Sequence, residues 1–158
     1  MIVFGVDPGT ARLGWGVVEK KQPATVALAY GCIITPQSQT PGRRLATIYT
    51  DLKKLLKKFK PDCLAIEELF FTVNAKTAIP VGEARGVILL AATQENIPIA
   101  SYTPQVVKQT ITGSGRAEKQ QVQRMVQLLL TLKTIPKPDD TADALAIAMT
   151  HAFTKRFI

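Results

Sequence analysis

Short runs of apolar and β-branched residues, separated by turn residues, make up the first 34 positions of the chain. Residues 2–7 form the first run, and the turn residues at 8–10 end it directly after the carboxylate of Asp7. Residues 14–18 and 26–34 form two further runs, and the connections are short enough for antiparallel neighbours. The pattern therefore predicts a three-stranded meander whose first strand ends in an acid.

Apolar residues recur every three or four positions between residues 45 and 59, which predicts an amphipathic helix. They are Leu45, Ile48, Tyr49, Leu52, Leu55, Leu56 and Phe59. The other side of this helix carries lysines at positions 53, 54, 57, 58 and 60. These lysines could form a nucleic-acid face. A solvated side whose basic residues favour the C-terminal end of the helix dipole is the simpler interpretation.

Strands and helices alternate in the rest of the chain. Further strands are predicted over residues 63–66, which stop at two glutamates, and over residues 97–102. Helices are predicted over residues 75–95, 117–132 and 140–154, with a short one after Thr103-Pro104 that breaks at 113–115. Pro80 should kink the 75–95 helix or mark its true start. These elements indicate an α/β fold, a five-stranded mixed sheet flanked by helices, in one domain over residues 1–158.

Composition and charge narrow the class of protein. The chain has 158 residues, of which 46% are hydrophobic and 20% charged, as expected for one globular domain with its own core. Its net charge of +8 favours a polyanionic partner, with nucleic acid the leading candidate. Cys32 and Cys63 are too few for a disulfide scaffold and lack the spacing of a zinc site. Neither a membrane-spanning run nor a signal peptide is recognisable, so we expect a cytoplasmic protein without membrane contact.

Acidic residues occur at three places where predicted elements begin or end. Asp7 ends the first strand, Glu67 or Glu68 ends the fourth, and Asp140 and Asp143 share one face of the last helix. Neighbouring strands can bring such carboxylates together, and the cluster then needs a compensating cation such as Mg²⁺. Singly, they have simpler explanations: an Asx turn, a solvent-exposed strand end and a helix N-cap. Together, in a basic chain, they favour a metal-dependent nuclease.

Longer motifs extend over almost the whole chain. They are Gly5-Val-Asp7-Pro-Gly-Thr10, Gly14-Trp-Gly16, Ala65-Ile-Glu67-Glu-Leu-Phe70, Ala84-Arg-Gly86, Gln105 to Lys108, Ala117-Glu-Lys119 and Asp140-Thr-Ala-Asp143-Ala-Leu-Ala-Ile-Ala-Met-Thr-His151. In this order and spacing, the motifs closely resemble the RuvC family of Holliday-junction resolvases. The resemblance implies a ribonuclease H-like fold and a homodimer that makes paired, symmetric nicks across a four-way DNA junction during recombination and repair. The branch-migration complex of RuvA and RuvB is a further partner to consider.

The same resemblance implies a metal site. Asp7, Glu67, Asp140 and Asp143 match the acidic, metal-binding tetrad of the family, and the match selects Glu67 over Glu68. The implied cofactor is Mg²⁺, for which Mn²⁺ substitutes, with two ions in each active site. These ions would hold the scissile phosphate, activate a water and stabilise the leaving 3′ oxygen, without a covalent intermediate.

Four residues are expected to contact DNA. Lys108 and Lys119 match family lysines near the substrate backbone, and Lys119 is also expected to be catalytic because a cation there aids charge development. Phe70 matches an aromatic residue that stacks at the opened crossover, although a Phe among apolar neighbours is by itself more typical of a core. Arg116, beside a glycine-rich turn, is predicted from its position to contact phosphate.

Three other functions stay open at this point. A ribonuclease H-like nuclease of the RuvX (YqgF) group, tied to ribosomal RNA processing, has a similar opening, but the paired acids of the last helix argue against it. An actin-type ATPase has a similar phosphate-loop opening and needs two such domains. A junction-binding clamp without catalysis has no reason to keep four mutually repelling acids. The sequence thus favours a Mg²⁺-dependent crossover junction endodeoxyribonuclease.

Overall fold

Five strands form one mixed sheet in the computed structural model, which describes residues 1–68 and 75–154, with side chains from residue 78 onward in the second stretch. The strands are β1 (Ile2–Asp7), β2 (Arg12–Lys20), β3 (Thr25–Ile34), β4 (Cys63–Glu67) and β5 (Ile99–Tyr102). Their order across the sheet is β3-β2-β1-β4-β5. The first three strands pair antiparallel, and β4 and β5 continue the sheet parallel to β1. The predicted meander and the predicted α/β class are confirmed.

Five helices cover the two faces of the sheet within the described residues. They are α1 (Pro41–Phe59), α2 (Ala75–Gln94), α3 (Pro104–Thr112), α4 (Lys119–Leu129) and α5 (Asp139–Thr154). α1 ends at Phe59, and Lys60 caps it in a left-handed conformation, with its amide donating to the carbonyl of Leu56. α3 begins after Thr103, whose hydroxyl accepts from the amide of Val106 at 3.2 Å. None of these helices is long and apolar enough to cross a membrane.

The bounds of β5 and α4 differ from the predicted ones, and local hydrogen bonds explain where each element begins. β5 begins at Ile99 rather than at residue 97, since the amide of Ile97 donates to the carbonyl of Ala92 and closes the turn after α2. α4 begins two residues later and ends three residues earlier than predicted. Its start is set by a capping box between Glu118 and Gln121, in which each side chain accepts from the other's backbone amide.

The structure excludes one of the two roles predicted for Pro80, and it shows where the last helix begins. Pro80 lies inside α2, five residues after the helix begins, so it does not mark the start of that helix. α5 begins at Asp139, and the carbonyl of Pro138 accepts from the amide of Thr141 at 2.9 Å. Asp139 and Asp140 are therefore both first-turn residues, and the N-cap explanation for this pair is wrong.

An apolar core lies on each face of the sheet. The core toward α1 and α2 contains large side chains with no exposed surface, among them Phe4, Leu52, Leu64, Ile66 and Ile88. The core toward α3, α4 and α5 contains Val3, Val18, Val126, Leu145 and Met149. Burial of apolar surface on both faces, at roughly 25 cal/mol per Å², holds the two helical layers on the sheet.

Glycines on β1 and β2 let α5 lie directly against the sheet. A Cβ added at Gly5 would overlap the carbonyl oxygen of Ala144, and one added at Gly14 would overlap that of Asp140. Gly16, the cross-strand partner of Gly5, faces the same helix. The absence of these side chains sets how closely the first turns of α5 approach the strand ends.

Candidate active site

Two acids lie side by side at the carboxyl ends of neighbouring parallel strands. Val6 of β1 is in register with Ile66 of β4, so Asp7 and Glu67, the next residues, end the two strands together. Glu67 lines the cleft at this end of the sheet, whereas Glu68 follows β4 and is exposed. Successive strand residues point to opposite faces, which explains why only one of the two glutamates reaches the cleft.

The cleft has a volume of about 240 Å³, and charges of both signs line it. Its charged lining residues are Asp7, Glu67, Asp143, Lys108 and Lys119. The remaining lining residues are apolar: Pro104, Val107, Val122, Ala146 and Ile147. Apolar walls lower the local dielectric, so each charge in the cleft interacts more strongly than it would in water.

The N-terminal end of α5 brings the other two acids of the predicted tetrad to this strand end. Asp140 and Asp143 are one turn apart on the helix, and Gly14 lets that turn rest against β2. Asp143 enters the cleft. Asp140 lies outside the cleft lining, with its Oδ2 3.9 Å from Nε of Arg12, yet its charge still raises the pKa of Asp7. Three of the four acids thus line the cleft, and the fourth is close enough to influence the protonation of Asp7.

Burial and mutual repulsion disfavour the charged form of these acids. Burial, followed by the charges of Asp143, Glu67 and Asp140, raises the pKa of Asp7 to about 8. Burial and the charge of Asp143 also raise the pKa of Glu67. Burial raises the pKa of Asp143 despite an opposing hydrogen bond from Lys119. At neutral pH, the cluster therefore carries its full negative charge only when a cation joins it.

Two lysines face the acids across the cleft. Nζ of Lys119, at the start of α4, lies 2.8 Å from Oδ2 of Asp143 and 3.8 Å from Oδ2 of Asp139. Burial lowers the pKa of Lys119, but the hydrogen bond and the charge of Asp143 outweigh it, so the pKa is raised overall. Lys108, on α3, lowers the pKa of Glu67 through its charge. The structure thus brings both predicted lysines to the acids.

Of the other two residues predicted to contact DNA, Arg116 lies within the described residues, and it does not line the cleft. Arg116 is exposed in the connection between α3 and α4, where its amide donates to the hydroxyl of Ser114 at 3.4 Å. Phe70 lies outside the described residues, so its stacking role stays a prediction.

Sequence reasoning missed three charged residues around the acidic cluster. They are Arg12, beside Asp140; Asp139, between Lys119 and Lys137; and Arg85, beside Glu67. Arg85 belongs to one of the motifs that carry the family resemblance, which was the available signal. No local pattern indicates which strand end an arginine on a separate helix reaches.

The donor chemistry of the cleft fits a divalent cation. Hard cations such as Mg²⁺ prefer carboxylate oxygens, and a cation between these acids would relieve the repulsion that raises the pKa of Asp7. Among residues 1–68 and 75–154, however, no three His, Cys, Asp or Glu side chains are grouped closely enough to surround one ion as they stand. The ammonium of Lys119 neutralises Asp143 instead. Metal binding would therefore require side-chain rotation.

Comparison with known proteins identifies the family that the chain resembles. The family model described as crossover junction endodeoxyribonuclease RuvC matches residues 3–151. The crossover junction endodeoxyribonuclease RuvC of Moorella thermoacetica is 56% identical over 152 residues, which is 96% of this chain and 91% of that relative.

Solved structures agree with the sequence comparison. The Thermus thermophilus RuvC structure has 40% sequence identity and a TM-score of 0.89, and the match covers 97% of this chain and 94% of that one. The structure of T. thermophilus RuvC in complex with Holliday junction substrate has 36% identity and a TM-score of 0.88 over the same shares.

The fold and the acidic cleft define a nuclease of the ribonuclease H-like class. Within this class, the chain belongs to the RuvC family of crossover junction endodeoxyribonucleases, whose activity is the resolution of Holliday junctions. Membership in this family excludes the RuvX group and the actin-type ATPases as alternatives.

Proposed function

We propose that the chain cuts four-way junctions as a homodimer, through paired symmetric nicks that depend on Mg²⁺, with Mn²⁺ as a substitute and two ions in each active site. The observation that carries this proposal is the cleft in which Asp7, Glu67 and Asp143 face Lys108 and Lys119. Acids gathered in this way are unfavourable alone, and lysines beside them suit a negatively charged phosphodiester. The net charge of +8 suits a polyanionic substrate.

Asp7, Glu67, Asp140 and Asp143 are the proposed metal ligands. When bound, the ions would supply Lewis-acid chemistry that activates water and stabilises the leaving 3′ oxygen. The neighbouring strand ends hold Asp7 and Glu67 in fixed relation, because β1 and β4 are paired up to the preceding residues. The first turn of α5 adds its acids from the helix that rests on the glycines.

The two cleft lysines are proposed to hold the scissile phosphate. Because its pKa is raised, Lys119 stays protonated at neutral pH, so we assign it charge stabilisation and not proton abstraction. Lys119 is held by Asp143 at 2.8 Å, next to the place where a phosphate oxygen would approach the acids. Lys108 contributes a second positive charge from α3, and Arg116 is proposed as a more distant phosphate contact.

Phe70 is proposed to stack on an unpaired base at the crossover. Phe70→Ala should then reduce turnover on intact junctions more than on nicked, flexible ones, because a nicked junction opens without help. The measurement is the cleavage rate on both substrates. Equal losses on the two substrates would remove the stacking role.

The homodimer follows from the reaction. Two symmetric nicks need two active sites, and the part of the chain that the structure describes contains one cleft of this chemistry. We assign the activity to a single domain over residues 1–158 and propose RuvA and RuvB as further partners. The cytoplasmic location stays a prediction.

The decisive experiment compares cleavage of a synthetic junction with fixed arms, a linear duplex and a structured RNA, each with Mg²⁺ and with EDTA. Asp7→Asn and Glu67→Gln should lower junction cleavage at least about 100-fold, because each removes a metal ligand, and should leave junction binding largely intact. Glu68→Gln is the matched control, since Glu68 is adjacent in sequence but exposed.

Each outcome points to one function. Symmetric, metal-dependent nicks confined to the junction would support the proposal. Cleavage by Asp7→Asn at the wild-type rate would contradict the metal site, and tight junction binding by the wild-type chain without cleavage would indicate a clamp.

A further inference from the structure

Arg85 of α2 joins the ends of two strands. Its Nη1 donates to the backbone carbonyl oxygen of Glu67 at 3.1 Å, and its Nη2 donates to the hydroxyl of Ser101 at 3.1 Å. Glu67 is the last residue of β4, and Ser101 lies in β5. One guanidinium group therefore spans neighbouring strands from the face opposite the cleft, as its planar set of donors allows.

The end of β4 lacks one ordinary source of hydrogen bonds. Its neighbour β1 ends at Asp7 and continues as Pro8, which has no amide hydrogen to donate. On the other side, the amide of Glu68 donates to the carbonyl of Tyr102 at 2.8 Å. Arg85 thus supplies a charged donor at the strand end where the residue after β1 is a proline. Charged donors form stronger hydrogen bonds than neutral ones.

Buried neighbours fix the base of the Arg85 side chain. Ala84 precedes it and Ile88 lies one turn later, and neither has any exposed surface. Both belong to the core between α2 and the sheet. The Cα of Arg85 is therefore held at a set distance from β4, and the guanidinium transmits that restraint to the strand end.

We propose that Arg85 is a positioning residue, which holds the end of β4 so that the carboxylate of Glu67 stands beside Asp7 in the cleft. This inference rests on the proposed role of Glu67 as a metal ligand. The connection is short, because the restrained carbonyl and the carboxylate belong to one residue, and a rotation of that peptide would also redirect the side chain. A displacement of about 1 Å in an active site can cost about 100-fold in rate.

The test compares Arg85→Gln, Arg85→Lys and Ser101→Ala in the full chain. Calorimetry without DNA measures the affinity for Mn²⁺, and thermal unfolding measures stability. Junction affinity is measured in EDTA, and the single-turnover cleavage rate is measured with Mn²⁺. Arg85→Gln should lose about 10–100-fold in both Mn²⁺ affinity and cleavage rate, as residues behind metal ligands typically do, with junction affinity unchanged. Arg85→Lys, which can keep one of the two contacts, should fall between Arg85→Gln and wild type. Ser101→Ala keeps the contact to Glu67 and should lose least.

Glu67→Gln separates this inference from the proposed function. If Arg85→Gln binds Mn²⁺ and cuts like the wild type while Glu67→Gln does not cut, the positioning role is wrong and the proposed function stands. If Glu67→Gln itself cuts at the wild-type rate, the proposed function fails. A lower melting temperature for Arg85→Gln with unchanged Mn²⁺ affinity and cleavage at low temperature would assign Arg85 to stability alone, which also overturns the inference.

Discussion

The two faces of the sheet are packed by opposite means. Toward α1 and α2, large side chains such as Phe4, Leu52 and Ile88 fill the space and have no exposed surface. Toward α5 there is also an apolar core, but Gly5 and Gly14 have no side chains, and backbone atoms of the helix lie directly against the strands at these positions. The first face thus separates helices from the sheet by side-chain layers, whereas the second brings one helix into backbone contact with the strands at the two glycines.

The charged groups are divided between the same two faces. Asp7, Glu67 and Asp143, whose pKa values burial raises, all lie at the end of the α5 face. On the other side, the described ion pairs include Lys54 with Asp51 at 3.0 Å, two exposed side chains of α1 whose interaction solvent screens. The comparison teaches that close backbone packing serves to place charges accurately, while bulky packing serves stability. It predicts that mutations on the two faces have different consequences.

Gly5→Ala should have the largest effect, because it disturbs both stability and the site. The added Cβ would overlap the carbonyl oxygen of Ala144 and lie 2.7 Å from the amide nitrogen of Ala148, and backbone atoms cannot rotate away. We expect a loss of about 3 kcal/mol or more, at or above the upper end for overpacking, and a melting temperature lower by about 6–12 °C. Cleavage by the folded fraction should fall as well, since α5, which carries Asp140 and Asp143, must shift. Thermal unfolding and single-turnover cleavage measure the two effects.

Gly86→Ala is the matched control for this prediction. A Cβ at Gly86 meets nothing within 4 Å, and the position is inside α2. It should stabilise the chain by about 0.5–1 kcal/mol and leave cleavage unchanged. If Gly5→Ala behaved like Gly86→Ala, close packing on the α5 face would not be required.

Leu52→Ala should separate stability from chemistry on the opposite face. Leu52 has no exposed surface and lies in the core between α1 and the sheet, so its truncation should cost about 3 kcal/mol. The cleavage rate of the folded fraction at low temperature should equal that of the wild type. Leu128→Ala, at a side chain that is 69% exposed, is the control and should change neither quantity. A loss of cleavage in folded Leu52→Ala would show that the two faces are coupled.

Elements with a strong local pattern were predictable from the sequence. The periodic apolar residues of α1 and the apolar run of β1 are confirmed, because burial of one helix face or one strand demands those patterns. Asp7, and a glutamate at position 67 or 68, were predictable as strand-end acids for the same reason. The first residues of β5 were not, because the amide of Ile97 is used to close the preceding turn. Of the two roles predicted for Pro80, the start of the helix is wrong, because α2 begins five residues before it, and the kink stays a prediction.

The contacts between elements were beyond the reach of sequence patterns. The spacing of residues could not decide between Glu67 and Glu68, because that choice depends on which face of β4 holds the cleft. Nor could it pair Lys119 with Asp143 at 2.8 Å, or direct Arg85 to a strand end. These contacts depend on how separate helices lie on the sheet, and the positions of the helices depend in turn on side chains spread along the chain.

The smallest expected effect concerns the stability of the site face without metal. The pKa of Asp7 is raised from 3.8 to about 8, while the unfolded chain keeps the ordinary value. Between these two pH values, the folded state holds a proton that the unfolded state releases, so wild-type stability should fall as the pH rises through this window.

Asp7→Asn should remove this loss of stability at higher pH. In EDTA at pH 8, the variant should therefore have a higher melting temperature than the wild type, and the difference should vanish near pH 4. Adding Mg²⁺ should raise the melting temperature of the wild type more than that of Asp7→Asn, because only the wild type has the complete set of ligands that binds the ion in the folded state. Melting curves across this pH range, with EDTA and with Mg²⁺, provide the measurement. Parallel pH profiles for the two proteins in EDTA would show that the acids do not destabilise one another, and the α5 face would then carry no more electrostatic strain than the face opposite.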